Sequence, residues 1–108
     1  MLVTLWRHGE AAYSRPDAQR RLTDQGACHV QASVGLYRSL CQQSGLGLPT
    51  LCIHSPYVRT QQTASLIASD LGLTEVKGLE LLAPGQPDYV AGNYLSEETE
   101  NQLVVGHQ

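Results

Sequence analysis

Lysine is almost missing from this sequence. Lys77 stands beside six arginines, and the net charge is −3. Outside Arg20-Arg21 no basic residues cluster. That excludes a general nucleic-acid binder, whose footprint is a patch of Lys and Arg. Any anion site must instead be local, built from a few placed arginines. Long apolar runs are missing too. Nothing approaches the roughly 20 residues of a membrane span, so no membrane partner is expected. The start, Met1-Leu2-Val3-Thr4-Leu5-Trp6, has neither the basic region nor the long apolar stretch of a secretory signal. Cysteine is scarce and odd in number: Cys28, Cys41 and Cys52 share no C-x-x-C spacing. That count argues against a disulfide framework or a zinc site. Reduced thiols in a cytoplasmic protein are the simpler reading, and Cys41, at an apolar helical position, reads as small core filler. No cluster of Asp, Glu and His has ligand spacing, so neither a metal nor a cofactor is expected.

What is present suits one globular domain over residues 1–108. Hydrophobic residues make up 42 % and charged residues 16 % of the 108, enough to bury a core. Val3 to Trp6 is a short apolar run that suits a buried strand. Residues 10–22 are polar and contain Pro16, which predicts a loop. Thr23 can cap the helix that follows. Ala27, Val30, Val34, Tyr37 and Cys41 recur at helical spacing, and Gly45 and Gly47 end that helix. Thr50 to Ile53 is a second buried strand. Ser55-Pro56 predicts a new helix start, with Ser as cap and Pro in the first turn. Ala64, Ile67, Ala68 and Leu71 form its apolar face, and Gly72 stops it. Glu75 to Leu82 reads as a third strand, Pro84 to Pro87 as a loop, and Tyr89 to Leu95 as a short helix. Leu103 to Val105 is a fourth strand.

Strands alternating with helices imply an α/β fold with a mainly parallel sheet. Ligands in such sheets lie beyond the carboxyl ends of the strands. Arg7 and His8 follow strand one, Arg59 follows strand two, Glu80 lies near the end of strand three and His107 follows strand four. All therefore converge on one edge of the sheet. A neutral imidazole can attack a phosphoryl group and hold it covalently. An adjacent guanidinium can bind two phosphate oxygens. Gly9 lets the backbone approach a ligand closely. Arg59, in the first turn of a helix whose N-terminus faces that edge, adds a place for an anion. His107 can serve as a cation or a hydrogen-bond donor.

Arg7-His8-Gly9-Glu10, Leu22-Thr23-x-x-Gly26, Ser55-Pro56-x-x-Arg59-x-x-x-Thr63 and Gly106-His107 together resemble the signature set of the histidine phosphatase superfamily. That resemblance implies a three-layer sandwich of the phosphoglycerate mutase-like kind. It implies His8 as nucleophile, with Arg7, Arg59 and His107 holding the phosphoryl group. It also implies an acidic proton donor after the third strand, which maps to Glu80. Gly9, Arg20, Arg21, Thr23 and Ser55 are the expected substrate-binding residues. Only a short stretch separates Glu80 from His107, so the lid over the site is small. The compact build is similar to the bacterial phosphohistidine phosphatases of the SixA type. Such enzymes are implied to act on a phosphorylated protein, at a histidine on a phosphotransfer domain. The superfamily chain normally continues after the second catalytic histidine with a helix and further strands. This sequence stops at Gln108, so a C-terminally incomplete domain is expected.

Two other functions stay open. One is a small-molecule phosphomonoesterase or mutase of the same superfamily, acting on a small phosphorylated substrate. The other, of a different class, is a non-catalytic phosphoprotein-binding module. His8 separates the two classes, since a pure binder needs no attacking imidazole.

Overall fold

A computed structural model describes residues 1–85 and 94–107. Among them the strands are β1 (Leu2–Arg7), β2 (Leu51–His54), β3 (Val76–Gly78) and β4 (Asn101–Gly106). The helices are α1 (Asp24–Ser44) and α2 (Val58–Leu71), and two short 3-10 turns cover Asp17–Gln19 and Glu80–Leu82. The four strands form one parallel sheet in the order β1-β4-β2-β3. β4 therefore sits between the strands that precede the two helices. Its register pairs Arg7 with Gly106 on one side and His54 with Val105 on the other. That alignment brings His8, Ser55 and His107, each one step past a strand, to the same edge.

The central strands β2 and β4 are buried along nearly their whole length, as parallel strands covered on both faces must be. The edge strands differ: all three residues of β3 are exposed, and Leu5 on β1 is 60 % exposed. α1 and α2 lie on one face. Val30 and Val34 of α1, Ala64 and Ile67 of α2, and Cys52, Leu103 and Val105 of the sheet form a common core, with Trp6 and Tyr37 packed against it. Removing a side chain such as Ile67 from water contributes about 1.5–3 kcal/mol. The other face buries Leu51, Ile53 and Val104 under Leu82, with Val3, Leu79, Tyr94 and Leu95 alongside. The buried Gln102 amide is satisfied there: its Oε1 accepts from Ser96 N, and its Nε2 donates to the carbonyls of Ser96 and Thr99.

α1 starts where Thr23 Oγ1 accepts from Gly26 N at 2.8 Å. Both helices stop at a left-handed glycine, Gly45 at φ 68° and Gly72 at φ 72°, a conformation that costs other residues energy. No helix among the described residues is long and apolar enough to cross a membrane. All three cysteines are free, Cys28 exposed, Cys41 and Cys52 buried.

Two elements differ from the expected ones. α2 begins at Val58 with Tyr57 as its cap residue, not at Ser55-Pro56. The Ser55 hydroxyl accepts from the backbone N of Tyr57 at 3.3 Å, ahead of the helix, and also contacts Thr60 and His107. The third strand ends at Gly78 rather than Leu82. After Leu79 N bonds the His54 carbonyl at 2.8 Å, this edge strand has no further strand partner among the described residues. The chain turns so that Leu82 is fully buried on the far face. The short helix expected over Tyr89 to Leu95 falls mainly outside the described residues, of which Tyr94 and Leu95 form a turn and bend.

Candidate active site

His8 is held by its own backbone on both sides. Its amide donates to the Gly106 carbonyl at 3.2 Å, continuing the β1–β4 ladder by one step. Its Nδ1 lies 2.7 Å from the Gly9 carbonyl. A carbonyl only accepts, so Nδ1 carries the proton and Nε2 keeps its lone pair. Nε2 faces Arg59 Nε at 3.4 Å. Burial, with Arg59, Arg7 and Arg20 nearby, lowers the pKa of His8 below 6.5 against the opposing effect of the Gly9 carbonyl. The neutral, nucleophilic form is therefore the resting form.

Gly9 has a second task. A Cβ there would lie 2.8 Å from Val30 Cγ2 and 3.0 Å from the Gly26 carbonyl. The glycine is needed for close contact with α1. Its amide donates to Thr63 Oγ1 at 3.1 Å, and Thr63 Oγ1 donates to the Arg59 carbonyl at 2.8 Å. Thr63 thus ties the loop bearing His8 and Gly9 to the first turn of α2, which carries Arg59.

Arg59 is only 6 % exposed. Its guanidinium stacks on Tyr57, 4.9 Å from the ring centroid, and the same ring meets His107 edge-on at 5.0 Å. The rings of His8 and His107 are 5.5 Å apart. His107 Nε2 lies 2.7 Å from Ser55 Oγ, which lies 2.6 Å from Thr60 Oγ1. Thr60 in turn donates to backbone carbonyls of Ser55 and Tyr57. His107 Nδ1 is buried without a partner among the described residues. Burial, then the charges of Arg59 and His8, push the His107 pKa down to about 4. Of the two expected roles for His107, cation or hydrogen-bond donor, the cation is therefore not the resting state near neutral pH, where the imidazole is neutral.

A cavity of about 390 Å³ opens beside His8, lined by Arg7, His8, Gly9, Glu10, Ala11 and Arg20, with Arg59 and His107 behind His8 rather than in its lining. Arg20 is fixed on the rim by Ala11 and Ala12 carbonyls and by Asp17. Arg21 points elsewhere, into a neighbouring groove of about 690 Å³ between α1 and α2. Thr23 caps α1 and donates to the Glu10 carboxylate at 2.8 Å. Ser55 is fully buried and reaches a ligand only through His107. Glu80 is exposed, in the turn after β3. β3 and β1 are the two edge strands, so they lie three strand spacings apart, on the order of 14 Å. Sequence reasoning missed Asp17 and Tyr57. Tyr57 and Thr60 lie inside the Ser55-to-Thr63 stretch, whose helical spacing is the signal for them. Nothing in the sequence marks Asp17.

No known protein-family profile matches the chain, and no curated protein matches it. Solved structures do. A protein assigned as the phosphohistidine phosphatase SixA of Agrobacterium tumefaciens superposes with a TM-score of 0.80 at 21 % identity, over 98 % of this chain and 68 % of its own. The protein histidine phosphatase SixA complexed with tungstate gives 0.80 at 25 % identity, over 99 % and 69 %. The chain has the fold of the histidine phosphatase superfamily, SixA type. A phosphoglycerate mutase from Plasmodium falciparum gives 0.69 at 19 % identity, over 97 % of this chain and 60 % of that one, which places the histidine phosphatase fold here within the wider phosphoglycerate mutase-like group.

Proposed function

We propose that this chain is a phosphatase that removes the phosphoryl group from a phosphohistidine on the phosphotransfer domain of a signalling protein. His8 is the nucleophile. The single observation that carries the reading is the fixed tautomer of His8: Nδ1–H is held by Gly9, so Nε2 offers its lone pair next to Arg59. In the first step Nε2 attacks phosphorus, the P–N bond to the substrate imidazole breaks, and that imidazole takes a proton from water, the hydroxide so formed being neutralised by the proton that the attacking water gives up in the second step. In the second step water attacks the phosphoryl group on His8, which releases inorganic phosphate and restores the free imidazole. Arg7, Arg59 and Arg20 meet the charge that the phosphoryl oxygens carry. His107 Nδ1, buried without a partner among the described residues, is the further atom suited to a phosphoryl oxygen once the arriving dianion has drawn a proton onto it. Three arginines and a histidine meet this charge without a metal, so turnover is expected to survive strong chelation. The three free thiols suit a cytoplasmic setting.

A phosphorylated protein fits a site whose rim residues Arg7 and Glu10 are exposed. The test compares turnover of a phosphohistidine protein with that of a panel of phosphorylated metabolites, for the wild type and His8→Ala. The phosphohistidine protein should be preferred, and His8→Ala should lose at least about 10³-fold in turnover while its circular dichroism stays that of the wild type. Retained activity in that variant would refute the covalent mechanism. A preference for a metabolite would assign the chain to the phosphomonoesterases.

A further inference from the structure

Arg59 is buried, yet its counter-ion is not. Its side chain is 7 % exposed, and that of Asp17, which pairs with it, is 58 % exposed. The pairing uses both ends of the guanidinium. Nη1 donates to the Asp17 backbone carbonyl at 2.8 Å and Nη2 to Asp17 Oδ2 at 3.2 Å. The other carboxylate oxygen, Oδ1, accepts from Arg20 Nη1 at 3.2 Å. One carboxylate thus bridges Arg20, which lines the cavity at His8, and Arg59, whose Nε lies 3.4 Å from His8 Nε2. Hydrogen bonds from Arg20 and then Arg59 hold its carboxyl below the usual range, so it stays ionised near neutral pH.

A buried guanidinium without a partner is costly, so a ligand-free site needs an anion beside Arg59. A phosphoryl group arriving at His8 Nε2 would meet the same two cations and stand beside that anion. We propose that Asp17 is a built-in competitor for the phosphate position, which neutralises Arg59 and Arg20 in the empty site and weakens the hold on free inorganic phosphate. The inference rests on the phosphate-site reading above. The carboxylate sits on an exposed 3-10 turn, so it can yield to an incoming dianion while the Asp17 carbonyl keeps Nη1 in place. Its repulsion acts equally on the product, which favours release of phosphate after the second step. Asp17 is in this sense a selectivity residue: it penalises binding of a bare oxyanion, whereas a phosphoprotein has further contacts to offset the penalty.

The test is calorimetric titration of tungstate into the wild type, Asp17→Asn, Asp17→Glu and Arg59→Ala, with product inhibition by inorganic phosphate measured alongside. Asp17→Asn keeps the shape and removes the charge. It should bind tungstate about three- to fivefold more tightly, the range set by a partly exposed ion pair. The inhibition constant for phosphate should fall by the same factor. Asp17→Glu should stay near the wild type. Weaker binding by Asp17→Asn would mean that the carboxylate holds the fork in place, and would overturn the proposal. Unchanged binding would overturn it equally. Arg59→Ala separates the two layers of argument: it should abolish tungstate binding whatever stands at position 17. If it bound tungstate like the wild type, the phosphate site itself would be misplaced, and this inference would fall with it.

Discussion

His107 is the residue whose state an anion would change most. Burial, and after it the charges of Arg59 and His8, push its pKa down to about 4 from 6.5. The folded chain therefore binds fewer protons than the unfolded chain between those values. By linkage, stability is fully present above 6.5 and is lost as pH falls toward 4. His8 is shifted in the same direction, so its contribution has the same sign. A dianion in the cavity reverses the local field and favours the imidazolium. The melting temperature should accordingly drop between pH 7 and pH 5 without ligand, and sulfate should raise it more at pH 5 than at pH 7. Thermal scans at both pH values, with and without sulfate, check this; an equal rise at both would refute it. The same lowered pKa of His8 puts the acid limb of the pH–rate profile for kcat/KM below 6.5. Ser55→Ala should leave His107 Nε2 without its partner at 2.7 Å and weaken sulfate binding without removing it. At this scale the sequence was legible where a residue's position follows from a strand end, as for Arg7, His8 and His107. It was not legible for Asp17, whose role depends on where a polar loop folds back. Nor was it legible for the protonation of His107, which depends on burial.

The join between the loop after β1 and α1 depends on two glycines facing each other. A Cβ at Gly26 would collide with the backbone of Glu10, with its carbonyl oxygen and its amide nitrogen among the nearest atoms. No side-chain rotation can relieve that contact, so the loop bearing His8 and Gly9 would have to move. Gly26→Ala should therefore cost about 1–3 kcal/mol in stability and lower turnover as well. Gly35, on the exposed side of the same helix, has nothing within 4 Å of an added Cβ. Gly35→Ala should stabilise by about 0.5–1 kcal/mol through helix propensity alone, with turnover unchanged. Denaturant titration of the two variants tests the pair, and equal effects would mean that propensity rather than packing decides. This contrast also explains what periodicity can reveal about elements. It located α1, α2, β2 and β4 because each presents a continuous apolar face or run to the core. It misplaced the start of α2 because Ser55-Pro56, which looks like a helix start, forms a turn closed by Tyr57 N on the Ser55 hydroxyl, and the helix begins only at Val58. It overran β3 because an edge strand with all three residues exposed carries no inward pattern, while the apolar Leu79 and Leu82 beyond it serve the opposite face.

Across the whole molecule, the site is assembled by strand order. β4 lies between β1 and β2, so the segments bearing His8, Arg59 and His107 become neighbours although they span the chain, and a parallel sheet makes that placement readable from sequence. Glu80 follows the one strand that this order sends to the far edge. It is exposed, in a turn whose buried member is Leu82. A general acid must be protonated near neutral pH, which takes burial or a neighbouring carboxylate, and it must reach the leaving atom. An alkyl phosphate ester departs as a strongly basic alkoxide and needs such an acid. A phosphohistidine departs as an imidazole, which is far less basic and needs little help. An exposed Glu80 on the edge away from His8 suits the second substrate better than the first. Glu80→Gln should therefore change turnover of a phosphohistidine protein by less than about twofold. Any ester turnover that depends on it should fall by about 10²–10⁴-fold, the usual worth of general acid catalysis. Steady-state rates on both substrates, measured on one preparation, decide the matter. A large loss on both would make Glu80 an essential acid and give the ester phosphatase reading the better claim. A negligible loss on both would make it a bystander and leave proton delivery to water, which an imidazole leaving group can tolerate and an alkoxide cannot.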